Sequence, residues 1–83
     1  MIYIVEDDAS IRELEQYALQ TSGYEAKGCE DGASFWAAVR TAPPELAILD
    51  VMLPDEDGYQ ILARLRADPA TRAIPVIMVT AKT

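Results

Sequence analysis

The sequence predicts an α/β fold with a parallel sheet, and three observations support this prediction. Short apolar runs rich in β-branched residues alternate with segments whose apolar residues recur at helical spacing. Strand and helix alternate three times, and a fourth strand follows, which is the order of a parallel sheet. The first and third strands each end in acidic residues, at Glu6-Asp7-Asp8 and at Asp50. Because parallel strands end at one common edge, these acids are expected to meet there.

Length and composition limit the chain to one domain and exclude several classes of function. The sequence has 83 residues, of which 51% are hydrophobic, so it is neither multidomain nor disordered. With 14 acidic and 7 basic residues and no basic cluster, this segment is not expected to bind nucleic acid. No apolar run reaches the length of a membrane span and no signal peptide pattern opens the chain, so we expect a cytoplasmic protein. The absence of histidine and the single Cys29 exclude a zinc site and an internal disulfide.

The first half of the chain is predicted to contain two strands and the helix between them. Residues 1–5 read as a buried strand, and residues 24–29 read as a shorter, more polar strand at the sheet edge. Ser10 and Glu13 have the spacing of a capping box at the start of the first helix, and Gly23 is expected to end it. Apolar residues recur at helical spacing and form one apolar stripe on this helix: Ile11, Leu14, Ala18 and Leu19.

The second half is predicted to add two helices and two strands. Asp31 is expected to cap the second helix, and Pro43-Pro44 to stop it. Residues 46–50 are apolar up to Asp50, as a central parallel strand should be. The inward faces of the two helices are predicted to carry Phe35, Ala38 and Val39 in the second and Ile61, Leu62 and Leu65 in the third. The remaining elements are a turn at 54–58, the third helix at 59–67 and the fourth strand at 74–80.

The sequence also predicts a metal site around one central aspartate. If the first and third strands are neighbours, Glu6, Asp7 and Asp50 converge in one small pocket. Carboxylates packed this closely repel one another, and a hard cation such as Mg²⁺, which prefers oxygen ligands, would neutralise them. Asp8 has two readings, as a site residue or as a residue favoured near a helix N-terminus. Asp57, followed by a glycine, reads as a turn and capping residue rather than as a ligand.

Four motifs in the chain resemble the receiver domain of two-component response regulators. They are IVEDD at residues 4–8, LDVMLP at 49–54, DG at 57–58 and PVIMVTA at 75–81. The resemblance covers the whole chain and implies a flavodoxin-like doubly wound parallel sheet with strand order 2-1-3-4. Residues 1–83 would then be the N-terminal portion of a receiver domain. The motifs are most similar to the transcription-factor branch that carries a C-terminal winged-helix domain.

The resemblance implies a role for each acidic residue of the pocket. Asp50 matches the phosphoacceptor, a carboxylate nucleophile that attacks the phosphohistidine of a sensor histidine kinase. Glu6 and Asp7 match the acidic pair that holds Mg²⁺, together with Asp50 and the backbone carbonyl of Met52. The metal offsets the charge that develops during phosphoryl transfer.

Residues near the ends of the third and fourth strands take further roles from the same resemblance. Thr80 matches the switch hydroxyl that contacts the phosphoryl group, and the small Ala81 leaves room for that group. Met52 and Lys82 match positions that tune the lifetime of the phosphoaspartate. The family's fourth helix, fifth strand and fifth helix, including a lysine that contacts the phosphoryl group, have no counterpart in the sequence. We therefore expect residues 74–80 to form an exposed edge that pairs with a second copy.

The leading prediction is a phosphoryl acceptor in a His-to-Asp relay, not an enzyme beyond slow self-dephosphorylation. It would regulate transcription through another domain, with a sensor kinase as partner and no membrane partner. The alternative is a receiver-like interaction module that is never phosphorylated, which the missing lysine leaves open. A phosphatase of the haloacid dehalogenase type is disfavoured, because Met52 stands where that class needs an acid-base aspartate.

Overall fold

The computed structural model describes residues 1–79, in which strands and helices alternate as predicted. The strands are β1 (Ile2–Val5), β2 (Ala26–Cys29), β3 (Leu46–Asp50) and β4 (Val76–Val79). The helices are α1 (Ala9–Thr21), α2 (Gly32–Thr41) and α3 (Gly58–Ala67). None of these helices is long and apolar enough to cross a membrane.

Two strands begin two residues later than the sequence predicts, and hydrogen bonds in the preceding turns explain both differences. The backbone N–H of Tyr24 donates to the carbonyl of Leu19 at 3.0 Å, so residue 24 belongs to the turn after α1. The N–H of Ile74 donates to the carbonyl of Thr71 at 3.0 Å, and Pro75 has no N–H to give to a ladder. The predicted strands at 24–29 and 74–80 therefore begin at residues 26 and 76.

The sheet has the flavodoxin-like order β2-β1-β3-β4, with parallel pairing throughout the described part. This order confirms the predicted one, with the polar β2 at an edge. The register places Val5 between Leu49 of β3 and Cys29 of β2. The loop after β1 therefore leaves the sheet beside Asp50, which is the last residue of β3. Strand alignment thus brings the predicted acidic residues to one edge.

The core lies between the sheet and the helices α2 and α3, whose predicted inward faces are confirmed. Phe35, Ile61 and Leu65 are fully buried, and Leu62 packs against the same cluster while partly exposed. Phe35 meets the ring of Tyr3 edge to face, with 6.2 Å between ring centroids. This packing holds α2 and α3 against the side chains that β1 and β3 contribute to the same buried cluster.

The apolar stripe predicted on α1 is only partly buried. No residue of α1 is buried, and Leu14 is 67% exposed. Ala18 is exposed as well, while Ile11 and Leu19 are half-buried. The helix packs on β1 and β2, and within residues 1–79 no other element covers the rest of its apolar face. Helical spacing reveals that a face is apolar, but burial needs a neighbouring element to cover it.

The predicted capping box at Ser10 and Glu13 was also wrong, because Asp8 caps α1. The carboxylate of Asp8 accepts the backbone N–H groups of Ser10 at 2.9 Å and of Ile11 at 3.1 Å. A carboxylate that precedes the hydroxyl by two residues takes the first free N–H groups, so the helix starts earlier. At the other end, Gly23 follows the helix at φ 94°, a conformation that glycine adopts without strain.

Candidate metal centre

Three carboxylates meet at the edge of the sheet where the strands end. Glu6 and Asp7 follow β1, and Asp50 ends β3; ligand oxygens of all three lie within 4.8 Å of one another. Glu6 is 2% exposed and Asp50 is 1% exposed, whereas Asp7 is exposed. The structure therefore brings together the three side chains that the sequence placed in one pocket.

The spacing of these oxygens fits a small hard cation. Mg²⁺ binds oxygen ligands at about 2.1 Å in an octahedron, so ligands on opposite sides lie about 4.2 Å apart. Oxygens within 4.8 Å of one another are thus close enough to share one such ion after small side-chain movements. Because the donor set contains only carboxylates, it suits Mg²⁺ and similar cations rather than metals that prefer nitrogen or sulfur.

Backbone contacts orient the carboxylate of Glu6. The N–H of Glu6 donates to the carbonyl of Cys29 at 3.0 Å, which extends the pairing of β1 with β2 by one residue. The Oε2 atom of Glu6 accepts the N–H of Asp8 at 3.1 Å. Asp8 itself caps α1, so the structure favours the capping reading of this residue over the site reading.

Arg12 is a residue near the site that the sequence analysis missed. Its Nη1 atom donates to the carbonyl of Glu6 at 2.8 Å and to the carbonyl of Asp7 at 3.4 Å. The guanidinium therefore holds the backbone of the loop that carries both acids and brings a positive charge to it. The available signal was an arginine one turn after an acidic cluster, at the spacing that lets its side chain fold back.

Asp50 is held where β3 meets the start of α3. Its Oδ1 atom accepts the backbone N–H of Met52 at 3.2 Å. The N–H of Gly58 donates to the carbonyl of Val51 at 2.9 Å, which brings α3 close to the end of β3. Asp57 caps α3 and forms a capping box with Gln60, so its predicted role as a turn and capping residue is correct.

The other acids of the loop after β3 turn away from the pocket toward α2 and α3. The two carboxylate oxygens of Asp55 accept the N–H groups of Gly32 at 2.9 Å and Ala33 at 3.0 Å. These bonds, that of Gly32 foremost, lower the pKa of Asp55 below its ordinary 3.8. Glu56 accepts Nε1 of Trp36 at 3.0 Å and pairs with Arg64 at 2.9 Å. The sequence analysis identified this acidic turn but not the residues of α2 and α3 that it contacts.

Of the remaining predicted site residues, the structure describes Met52. The side chain of Met52 is 66% exposed beside Asp50, and its backbone faces the pocket through the N–H described above. Thr80, Ala81 and Lys82 lie outside the described residues. Cys29 is buried below the pocket, and burial raises the pKa of its thiol, which keeps the sulfur protonated and unreactive at neutral pH.

The curated relatives of this chain include transcriptional regulators. The sequence profile of the response regulator receiver domain matches residues 2–83. The chain is 42% identical over 81 residues to the phosphate regulon transcriptional regulatory protein PhoB of Pseudomonas aeruginosa. It is 41% identical over 80 residues to the transcriptional regulatory protein GltR of the same species. These alignments cover 98% and 96% of the chain but 35% and 33% of the two regulators, so the chain spans about a third of their length.

Solved receiver domains have the same fold. The N-terminal domain of a response regulator receiver protein from Methanoculleus marisnigri JR1 matches with a TM-score of 0.91 and 38% identity. That match covers 98% of this chain and 66% of the other. The chemotaxis protein CheY4 of Vibrio cholerae matches with a TM-score of 0.90 and 29% identity, over 99% of this chain and 68% of the other. The curated relatives are regulators of the OmpR/PhoB type.

Proposed function

Because this chain belongs to the response regulator receiver domain family, we propose that Asp50 accepts a phosphoryl group from the phosphohistidine of a sensor histidine kinase. The observation that carries the proposal is the pocket in which Glu6, Asp7 and Asp50 hold ligand oxygens within 4.8 Å of one another. Residues 1–83 would act in the cytoplasm as the N-terminal portion of a receiver domain. Control of transcription would pass through a further domain, as the names of the relatives suggest.

The transfer step follows from the placement of Asp50. An oxygen of its carboxylate attacks phosphorus, a new O–P bond forms, and the N–P bond of phosphohistidine breaks as the imidazole leaves. The Met52 N–H holds Oδ1 of Asp50 at 3.2 Å and so limits rotation of the nucleophile. Three carboxylates would repel an anionic phosphoryl group, so the reaction depends on a cation. Mg²⁺ held by Glu6, Asp7, Asp50 and the Met52 carbonyl would supply that neutralisation.

Residues around the nucleophile would control the product. We assign Thr80 the switch hydroxyl, Ala81 the space for the phosphoryl group, and Met52 and Lys82 the lifetime of the phosphoaspartate. The exposed side chain of Met52 supports its part, because it stands beside Asp50 where water would approach. The chain would thus act as a phosphoryl acceptor rather than as an enzyme with turnover, apart from slow self-dephosphorylation.

Two further partner assignments belong to the proposal. β4 is an edge strand of the described sheet and carries Ile77, which is 51% exposed, so we assign it to pairing with a second copy of the chain. The net charge of −7 disfavours binding of nucleic acid by this segment. Its partners would be a sensor histidine kinase and another copy of itself.

The experiment that tests the proposal is intact mass spectrometry after incubation with acetyl phosphate and Mg²⁺. We expect one added phosphoryl group on the wild type and none on Asp50→Asn. Asp68→Asn is the matched control, because it makes the same chemical change at an exposed turn after α3. A phosphoryl group that persists in Asp50→Asn would contradict the assignment of the nucleophile. A wild type that neither binds Mg²⁺ nor gains mass would favour the interaction-module alternative, which needs no metal.

A further inference from the structure

The loop after β3 carries part of the proposed site but has little regular structure of its own. The β3–α3 loop, residues 51–57, lies between Asp50 and the first residue of α3 and contains no helix or strand. Met52 belongs to this loop, and its N–H contacts Oδ1 of Asp50. The position of the Met52 carbonyl therefore depends on whatever holds the loop.

Asp55 ties the far half of this loop to α2. Its two oxygens accept the N–H groups of Gly32 and Ala33, which lie 23 and 22 positions earlier in the chain. The next N–H of the helix, that of Ser34, is taken by the helix's own cap, Asp31, at 2.8 Å. Asp55 thus uses N–H groups that the local cap leaves open, and it joins two elements that are distant in sequence.

Glu56 makes a second tie from the same loop. It accepts Nε1 of Trp36 at 3.0 Å on α2 and the guanidinium of Arg64 at 2.9 Å on α3. The guanidinium carbon of Arg64 lies 4.2 Å from the centre of the Trp36 ring, so cation and ring support each other. Trp36 also contacts Phe35 of the core, with 5.1 Å between the ring centroids. The loop is therefore anchored to the packed part of the molecule.

These contacts also determine the direction in which the acidic side chains of the loop point. Asp55, Glu56 and Asp57 come shortly after Asp50 in the chain, and Asp50 belongs to a pocket that already holds three carboxylates. Each accepts hydrogen bonds from α2 or α3, from backbone N–H groups or from Arg64. Helix N-terminal N–H groups and a guanidinium stabilise such charges. The three acids are thereby kept from competing with Glu6, Asp7 and Asp50 for the cation.

We propose that Asp55 and Glu56 are positioning residues for the phosphoryl-transfer site. By fixing the β3–α3 loop to α2 and α3, they set the position of the Met52 carbonyl and the orientation of Asp50 toward the cation. This inference rests on the proposed function, because it assigns residues that support the same site without touching the reacting atoms. Supporting residues around a metal site tune its affinity in the same way.

Calorimetric titration of the whole chain with MgCl₂ tests the inference, with Asp55→Asn and Glu56→Gln as the test variants. Each is expected to weaken Mg²⁺ binding by about tenfold, the order seen when supporting residues of metal sites are replaced. Asp68→Asn and Glu45→Gln are matched controls that remove the same charges. Asp68 accepts the N–H of Ala70 at 2.9 Å, and Glu45 contacts the N-terminal amine at 3.2 Å. Both controls should bind Mg²⁺ like the wild type.

Three further readouts separate positioning from effects on stability and on charge. A purely structural role would lower the melting temperature and leave the Mg²⁺ affinity of the folded protein unchanged. Repeating the titration at high salt screens the effect of a lost charge, whereas a misplaced ligand stays misplaced. The emission of Trp36, the single tryptophan, reports whether the Glu56 contact persists in Asp55→Asn. If Asp55→Asn does not fold, Glu56→Gln decides alone.

The outcomes distinguish this inference from the function beneath it. A wild type that binds no Mg²⁺ overturns the proposed function, and the inference falls with it. A wild type that binds Mg²⁺ and is phosphorylated, while both test variants bind Mg²⁺ as the controls do, overturns the inference alone. Weaker Mg²⁺ binding in the test variants, with the controls unchanged, supports it.

Discussion

At the scale of single residues, acidic side chains of one chemical type do three different jobs in this chain. Glu6 and Asp50 are buried side by side, Asp8 and Asp57 cap helices, and Asp55 joins a loop to a helix. The job depends on which N–H groups lie within reach of the carboxylate. Two substitutions at single positions test the surroundings of these acids.

Gly58→Ala is expected to destabilise the protein by about 1–3 kcal/mol, the usual cost of overpacking. A Cβ atom there would lie 2.9 Å from Cε of Met78 and 3.0 Å from the backbone carbon of Asp50, so α3 would have to move away from β3. Urea unfolding measures the change. Ala63→Ser on the exposed side of α3 is the control and should stay within about 0.5 kcal/mol of the wild type. An equal effect of both substitutions would contradict the close approach.

The stability contributed by Asp55 is expected to depend on pH. Its pKa is lowered by the N–H groups of Gly32 and Ala33, so the folded state favours the ionised form. That contribution is complete above the unfolded pKa, near 3.8, and is lost as the pH falls through the lower folded pKa. The stability gap between wild type and Asp55→Asn should therefore narrow below about pH 4. Urea unfolding between pH 7 and pH 3 measures it, and a gap that stays constant would contradict the shift.

At the scale of elements, the helices show that capping of a helix and burial of its apolar face are independent. α1 has an ordered cap at Asp8 yet buries none of its residues, whereas α2 and α3 combine caps with buried faces. Capping satisfies backbone groups locally, but burial depends on a partner surface. The boundary of α1 can therefore be tested independently of its packing.

Asp8→Ala is expected to destabilise the chain by about 1 kcal/mol, because two N–H groups at the start of α1 lose their acceptor. Ser10→Ala should change stability by less than about 0.5 kcal/mol, since its hydroxyl does not cap the helix. Thermal or urea unfolding of both variants compares them directly, and Asp8→Asn should recover most of the loss. A larger loss of stability in Ser10→Ala than in Asp8→Ala would instead support a capping box at Ser10.

At the scale of the whole molecule, apolar surface remains exposed on α1 and on β4. Leu14 of α1 is 67% exposed and Ile77 of β4 is 51% exposed, and β4 is an edge of the sheet. An exposed apolar edge strand favours pairing with another chain. This exposed edge is the basis for the proposed pairing of β4 with a second copy of the chain.

Self-association through β4 is expected to increase with protein concentration. Sedimentation velocity across a concentration series should show a dimer, and Ile77→Lys should shift the equilibrium toward monomer because a charge on the edge opposes pairing. Leu14→Lys is the comparison variant, since it adds the same charge on α1. A dimer lost in Leu14→Lys but kept in Ile77→Lys would move the interface to α1.

The sequence by itself determined the order of elements, the bounds of β3, the inward faces of α2 and α3, and the convergence of Glu6, Asp7 and Asp50. These follow from local periodicity and from the rule that parallel strands end at one edge. Local hydrogen bonding decided that Asp8 caps α1, and only the tertiary structure decided that Leu14 stays exposed and that Asp55 contacts α2. The physical reason is that each of these depends on a partner that periodicity does not specify. Either Asp8 or Ser10 could take the N-cap position of α1, Leu14 is buried only where another element covers it, and Asp55 meets N–H groups 23 and 22 positions earlier in the chain. Periodicity reflects a residue and its neighbours in sequence, and it does not show which group from a distant part of the chain will contact them.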